Sequence, residues 1–325
     1  MLSDLLVPLT RMTHCEHQFM SMLFQQWLLS SRRQRGPGLL ADSRPDPWDQ
    51  LRMPGAAKER WALLAQALRS RDGEGKEKQQ GTKRSFHAYN LLTWGPEDEE
   101  GWKTVSHAGV EADVRLAPAA TSPSLNQLVG FNNTGNVCVW PSEECLGVYC
   151  LAEKSKYEGL RVLELGGGMT AVAGLLLSAT GLPASVTLTD GNEVSAESLV
   201  RVVERAKSRG GSSLEARLLR WDDASEVEAQ RGSYDLILSA DCIFFTSQLA
   251  SAMATLLAPG GEALVMAPGR EGTFAAFQAE AREHFVEVEE VEKYSAQVWK
   301  AHEACSGLQG YVEDIHYPRL LRCRI

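Results

Sequence analysis

The spacing of apolar and polar residues changes near residue 130 and divides the chain into two patterns. After that point, short apolar runs typical of buried strands alternate with stretches that have the helical period. The predicted strands are LRVLELG, ASVTLTD, LEARLLRW, YDLILSA, GEALVMAP, VEVEEVE and RLLRCRI, and the predicted helices span 169–181, 192–208, about 247–258 and about 273–284. Alternating strands and helices predict an α/β fold over residues 130–325, in which helices cover both faces of a parallel sheet.

The first 129 residues follow a different pattern. Residues 1–54 have an apolar, Met-rich opening and then a run rich in Pro, Gly and Arg, which predicts a poorly ordered N-terminal extension. An amphipathic targeting helix is the alternative, because Asp4 and Glu16 are the only acids among the first 35 residues. Residues 55–129 predict a small α+β region, with a helix at AAKERWALLAQALRS and short antiparallel strands at SFHAYNLL and around KTVSHAGVEADVRL.

Composition and charge exclude several classes of protein. The formal net charge of −9 argues against a general nucleic-acid binder, and no window approaches the roughly 18 uninterrupted apolar residues that a membrane span needs. Seven cysteines without a Cys-x-x-Cys pair indicate a reducing compartment and give no metal-binding pattern. We therefore expect a cytoplasmic or nuclear protein that binds neither metal, nucleic acid nor membrane, and we expect it to be a monomer.

Three consecutive glycines stand where the first strand of the sheet must turn into a helix. Without a Cβ, Gly166, Gly167 and Gly168 allow the backbone to approach a ligand closely, and the first turn of the following helix is expected to offer unpaired N–H groups. This turn predicts a nucleotide-like ligand. Because Gly166-x-Gly168-x-x-Ala171 also satisfies the relaxed dinucleotide fingerprint, an NAD-dependent oxidoreductase is an alternative.

Two carboxylates flank the glycine turn. Glu164 lies in the first strand, where it can face a cationic cofactor or fix the glycine loop by accepting N–H bonds, whereas a pyrophosphate would repel it. Asp190 ends ASVTLTD at the carboxyl edge of the sheet, where it can bind both hydroxyls of a ribose. Its alternative role is to cap the helix that begins near residue 192.

Further candidates stand at the ends of the next two strands. Trp221 and Asp222 end LEARLLRW and its continuation, where an aromatic wall and an acceptor for an adenine amino group are expected. Packing in the core is the alternative role of Trp221. Asp241 ends YDLILSA next to the glycine turn and would face the reactive end of the cofactor, with Phe244 beside it.

Together these features resemble the seven-β-strand S-adenosylmethionine-dependent methyltransferases. The segments FNNTGNVCVWPSEECLGVYCL, ELGGGMT, LTDGNE, LRWDD, ADCIFF and HYPRLL are similar, in order, to those of the calmodulin-lysine N-methyltransferases within that family, and the likeness reaches back to about residue 58. The resemblance implies a Rossmann-like seven-stranded sheet whose last strand is antiparallel. It also implies S-adenosylmethionine as cofactor and methylation of a calmodulin lysine, up to trimethylation. A methyltransferase for another protein lysine, such as one on a chaperone, is the nearest alternative.

The resemblance also implies roles for individual residues. Related lysine methyltransferases commonly have Asp-x-x-Tyr after the fourth strand, whereas this chain has Phe244 at the last position and therefore lacks a tyrosine base there. Asp241 is expected to orient the incoming amine and Phe244 to wall its alkyl stem. Trp140 is expected to wall the methionine end of the cofactor, with core packing as its alternative role. Because calmodulin is acidic, a local basic face is expected, to which EKQQGTKR or KYSAQVWK can contribute.

Overall fold

The computed structural model describes residues 89–115, 139–308 and 311–325 of the chain. The predicted extension over 1–54 and the predicted helix AAKERWALLAQALRS lie outside these ranges. The division of the chain at residues 54 and 129 therefore stays a prediction.

Two sheets are present among the described residues. The small one is antiparallel, in the order β1-β2-β3, and the large one has seven strands in the order β6-β5-β4-β7-β8-β10-β9. The strands are β1 (Thr93–Trp94), β2 (Trp102–His107), β3 (Val110–Arg115), β4 (Arg161–Leu165), β5 (Ser185–Asp190), β6 (Ser213–Leu218), β7 (Tyr234–Ala240), β8 (Leu257–Pro268), β9 (Glu287–Val291) and β10 (Pro318–Arg324). Strands β4 to β8 pair in parallel, and β10 is antiparallel to both of its neighbours. The predicted Rossmann-like sheet with an antiparallel last strand is confirmed.

Helices cover both faces of the large sheet. They are α1 (Pro141–Ala152), α2 (Val172–Ala179), α3 (Glu193–Ala206), α4 (Ala224–Glu228), α5 (Thr246–Leu256), α6 (Thr273–His284), α7 (Ala296–Cys305) and α8 (Glu313–His316). Side chains alternate between the two faces along each strand, so that Val162 packs in one core with α1, α2, α3 and α7, whereas Leu163 packs in another with α4, α5 and α6. Both faces of the sheet are therefore buried. None of the described helices is long and apolar enough to cross a membrane.

Two of the strand predictions are wrong. Within SFHAYNLL, the described residues 89–92 are not a strand, and the small sheet begins at Thr93. Strand β6 ends at Leu218, so Trp221 and Asp222 lie in the loop after the strand rather than at its end. The short antiparallel strands predicted around KTVSHAGVEADVRL are confirmed as the β2–β3 pair.

Asp113 ties the small sheet to helix α3. Its carboxylate accepts hydrogen bonds from Thr104 Oγ1 at 2.9 Å, from Arg205 Nε at 3.2 Å and from Arg209 Nε and NH2 at 2.9 and 2.8 Å. Burial by itself would raise the pKa of Asp113, but the bonds from Arg209, Thr104 and Arg205 outweigh it and hold the pKa below its usual value. This carboxylate is therefore expected to stabilise the fold in its ionised form.

Replacing Asp113 by alanine is expected to destabilise the protein by about 2 kcal/mol at neutral pH, because two arginines lose their shared partner. A depressed pKa stabilises the fold above the unfolded carboxyl pKa of about 3.9, and this stabilisation is lost as the pH falls through the folded pKa. Denaturant midpoints of wild type and variant should therefore converge in acid. The control is Glu228→Ala, which removes one partner of the exposed pair of Glu228 and Arg231. Its denaturant midpoint should equal that of wild type. An equal loss of stability at acidic and neutral pH would contradict this account of Asp113.

Candidate active site

The glycine turn, Gly166 to Gly168, lies against residues that follow strands β6 and β7. Gly166 and Gly168 have φ angles of +69° and +60°, which a residue with a Cβ rarely adopts. A Cβ on Gly166 would collide with Cys242 Sγ and would lie 3.1 Å from Cζ2 of Trp221. The ends of β4 and β7 and the loop after β6 therefore meet at this turn, as the strand-edge argument predicts.

Asp190 fixes the glycine turn from the neighbouring strand. Its Oδ2 accepts the N–H of Gly168 at 2.9 Å and its Oδ1 accepts the N–H of Asn192 at 2.8 Å. Burial raises the pKa of Asp190 to about 6, although both N–H bonds act to lower it. The cap of helix α3 is Asn192, which accepts from Val194 and Ser195, so the alternative role of Asp190 as that cap is wrong.

The first turn of α2 does not offer free N–H groups in the way the sequence suggested. The helix begins at Val172 rather than near 169, and the Val172 N–H donates to Glu143 Oε1 at 2.8 Å. The Gly174 N–H donates to Glu164 Oε2 at 2.6 Å. Two buried carboxylates therefore accept two of the N–H groups in the first turn of this helix.

Glu164 lies behind the glycine turn, with only 1% of its surface exposed. Of the two roles predicted for it, Glu164 does accept an N–H bond, but the donor lies in helix α2 and not in the glycine loop. Burial raises the pKa of Glu164, and repulsion by Glu143 raises it further. Glu143 was missed by the sequence interpretation, since nothing in the local pattern links it to a helix that begins 29 residues later.

The structure separates the two residues predicted to surround an adenine. Trp221 is partly buried and lies against Gly166, where it covers one side of the turn. Asp222 is exposed. The next residue, Asp223, caps α4 by accepting the N–H groups of Ser225 and Glu226. The predicted contacts of Trp221 and Asp222 with adenine stay predictions.

Asp241 occupies a constrained position at the end of β7. Its φ angle is +59°, and its N–H donates to the carbonyl of Met266 on β8 at 2.9 Å. Only 5% of its side chain is exposed, and Oδ2 accepts a hydrogen bond from Arg270 NH2 at 2.8 Å. Burial raises the pKa of Asp241, while the charge and hydrogen bond of Arg270 and the nearby Ser142 hydroxyl act in the opposite direction.

Arg270 joins three of the predicted residues into one group. Its Cζ lies 5.3 Å from the ring centroid of Phe244 and 5.8 Å from that of Trp140, within the range of a cation–π contact. We call Trp140, Asp241, Phe244 and Arg270 the Asp241 cluster. The sequence interpretation missed Arg270, although it stands two residues after β8, at the same edge as Asp241.

The residues at this edge fit a nucleoside cofactor with a positively charged centre. The glycine turn leaves no room for a Cβ, the Asp190 carboxylate can accept hydroxyl groups, and Trp221 supplies an aromatic face. The Asp241 cluster adds a carboxylate and aromatic rings beyond the end of β7. Among the described residues, no group of three or more His, Cys, Asp or Glu side chains is arranged to hold a metal ion.

Comparison with known proteins agrees with this geometry. A family model described as lysine methyltransferase matches residues 126–304. A calmodulin-lysine N-methyltransferase of Arabidopsis thaliana is 30% identical over 293 residues, which cover 81% of this chain and 95% of the plant protein. The chain belongs to the lysine methyltransferase family. This lysine methyltransferase takes its methyl group from S-adenosylmethionine, so the NAD-dependent oxidoreductase alternative is wrong.

Solved structures with a similar fold include two other methyltransferases. The 16S rRNA N2 G1207 methyltransferase of T. thermophilus is 17% identical with a TM-score of 0.45, over 82% of this chain and 62% of that one. A methyltransferase from Pyrococcus furiosus is 18% identical with a TM-score of 0.41, over 56% of this chain and 82% of that one. At these scores, neither likeness bears on what this lysine methyltransferase modifies.

Proposed function

We propose that this chain transfers methyl groups from S-adenosylmethionine to a lysine side chain of calmodulin, up to the trimethylated state. The observation that carries the proposal is the plant calmodulin-lysine N-methyltransferase, which matches 81% of the chain. The site supports a lysine substrate because Asp241 and two aromatic rings contact a cation, Arg270, there already.

The residues of the site divide between holding the cofactor and receiving the substrate. Asp190 and the glycine turn would bind the ribose and methionine parts of S-adenosylmethionine, and Trp221 would pack against the cofactor beside Gly166. When bound, the cofactor supplies a methyl group on a positively charged sulfur. Trp140 would wall the methionine end of the cofactor. Phe244 would wall the alkyl stem of the substrate lysine, and Asp241 would accept an N–H bond from its nitrogen.

Positioning explains most of the catalysis in this proposal. Methyl transfer to an amine is an in-line displacement, so holding the nitrogen on the axis of the breaking bond lowers the barrier. The lysine must also lose its proton before it attacks, and desolvation in an aromatic-walled pocket favours the neutral amine. Because Phe244 has no hydroxyl group, the proton is expected to leave through water.

The basic face expected for an acidic partner has one candidate among the described residues. In KYSAQVWK, Lys293 and Lys300 are exposed, and Lys293 Nζ lies 4.0 Å above the ring of Trp299. The other candidate, EKQQGTKR, lies outside the described residues. We propose that Lys293 and Lys300 contribute to calmodulin docking through charge attraction.

A competition assay tests the choice of substrate. Equal concentrations of unmodified calmodulin and of a purified chaperone are incubated together with the full chain and labelled S-adenosylmethionine, and modified peptides are identified by mass spectrometry. The proposal predicts label on a calmodulin lysine and the appearance of mono-, di- and trimethylated peptides in sequence. Label on the chaperone alone would overturn calmodulin as the substrate while keeping lysine methylation.

A further inference from the structure

The Asp241 cluster already holds a cation in the place where the proposed function puts the substrate. Arg270 NH2 is 2.8 Å from Asp241 Oδ2, and the guanidinium lies over the rings of Phe244 and Trp140, with its Cζ 5.3 and 5.8 Å from their centroids. A carboxylate flanked by aromatic rings is the chemistry that recognises an alkylammonium group such as a lysine side chain. The substrate nitrogen and Arg270 therefore require the same partners.

Asp241 offers no second open acceptor for an incoming amine. Its Oδ1 is buried, and the hydroxyl of Ser142 lies close enough to lower the pKa of this carboxyl. With 5% of the Asp241 side chain exposed, a substrate cannot reach this carboxylate while the guanidinium covers it. Once the guanidinium has left, Asp241 Oδ2 would be a buried acceptor without its donor, which favours the binding of another N–H donor in its place.

Hydrogen bonds fix the backbone that carries Arg270, and the side chain reaches Asp241 from there. The Arg270 N–H donates to the Asp314 carbonyl at 2.7 Å, and the Glu271 N–H donates to Asp314 Oδ2 at 2.7 Å. These bonds fix φ angles of +44° and +54° at the two residues. The Arg270 side chain is 22% exposed, whereas that of Asp241 is 5% exposed. Rotation of this side chain into solvent would therefore uncover Asp241 without moving the loop.

We propose that Arg270 is a built-in occupant of an alkylammonium site, which the substrate lysine must displace from Asp241 in order to reach the cofactor. The proposal rests on the proposed function for the identity of the substrate. It makes Arg270 a specificity-determining residue, because a lysine that brings little docking energy of its own cannot compete with a tethered guanidinium.

The substrate-independent test uses n-butylammonium, which reproduces the end of a lysine side chain. Arg270→Ala should gain a site for this cation, so that its thermal midpoint rises with n-butylammonium concentration, whereas wild type should not respond. Arg270→Lys keeps a tethered cation and should behave like wild type, and Arg231→Gln, at an exposed pair, is the matched control. Adding Asp241→Asn to Arg270→Ala should abolish the response.

The kinetic test uses a short peptide that contains the calmodulin lysine identified by mass spectrometry. Arg270→Ala should lower the KM for this peptide about tenfold without lowering kcat, because the substrate no longer displaces a charge-assisted hydrogen bond. The proposal would be overturned if n-butylammonium left the thermal midpoint of Arg270→Ala unchanged. It would also be overturned if Arg270→Ala had a raised KM and a reduced kcat for the peptide. If calmodulin is not methylated at all, the proposed function fails, while the n-butylammonium result still decides the role of Arg270.

Discussion

Asp241→Asn is expected to lower kcat for methyl transfer about 100-fold, with little change in the binding of S-adenosylmethionine. Asparagine keeps the shape of the side chain but removes the charge that orients the substrate nitrogen, and misplacement of a reacting atom by about 1 Å can cost this much. The glycine turn and Asp190, which hold the cofactor in this account, are not altered. Single-turnover rates with saturating S-adenosylmethionine measure the loss, and calorimetry measures cofactor binding.

Loss of folding must be separated from loss of chemistry in this variant. Asp241 is 5% exposed and pairs with Arg270, so its replacement leaves a partly buried guanidinium without its partner. The thermal midpoint of Asp241→Asn and the double variant Asp241→Asn with Arg270→Ala provide the control, since the double variant removes the unpaired charge. Transfer by the folded single variant at the rate of wild type would contradict the assigned role of Asp241.

Asp190→Ala is expected to weaken S-adenosylmethionine binding about 100-fold, the second large effect. The carboxylate has two tasks in this account: it fixes Gly168 through a 2.9 Å hydrogen bond, and it would accept the ribose hydroxyls. Hydrogen bonds to a charged acceptor contribute about 1.5–3 kcal/mol each, and two of them at the lower end of this range account for an effect of this size. Isothermal calorimetry with S-adenosylhomocysteine, the methyl-free product, provides the measurement without turnover.

The pH dependence of cofactor binding provides a second check on Asp190. Its folded pKa is raised to about 6, so the carboxylate accepts hydroxyl groups in its ionised form above that pH and takes up a proton below it. Binding to wild type should therefore weaken as the pH falls through 6, and binding to Asp190→Ala should lack this dependence. Glu228→Ala, at an exposed position, is the matched control. Equal binding by Asp190→Ala and wild type would exclude Asp190 from the cofactor site.

The positions of Asp190 and Asp241 could be predicted because they depend on one general rule. Parallel strands of an open sheet end at a common edge, so residues that follow neighbouring strands must lie close together. The alternation of apolar runs and helical stretches was sufficient to locate those strand ends. The contact of Gly166 with Trp221 and Cys242 shows that the predicted convergence is present.

Arg270 and Glu143 could not be predicted because their roles depend on tertiary placement. Arg270 reaches Asp241 only because β8 lies beside β7 in a register where the Asp241 N–H bonds to Met266. Its own neighbourhood, Gly269 to Gly272, has the composition of an ordinary loop. Glu143 lies on helix α1, which the sequence interpretation also missed. Ten of the twelve residues of this helix are buried, so its polar residues do not recur with the helical period that would identify it.

The most direct test of the account is methyl transfer from labelled S-adenosylmethionine to unmodified calmodulin, measured for wild type and Asp241→Asn and followed by peptide mapping. The account predicts that wild type labels a lysine side chain, that the label rises to three methyl groups, and that the variant binds the cofactor but labels the lysine about 100-fold more slowly. Cofactor binding by wild type without any label on lysine, or equal labelling by the two proteins, would contradict it.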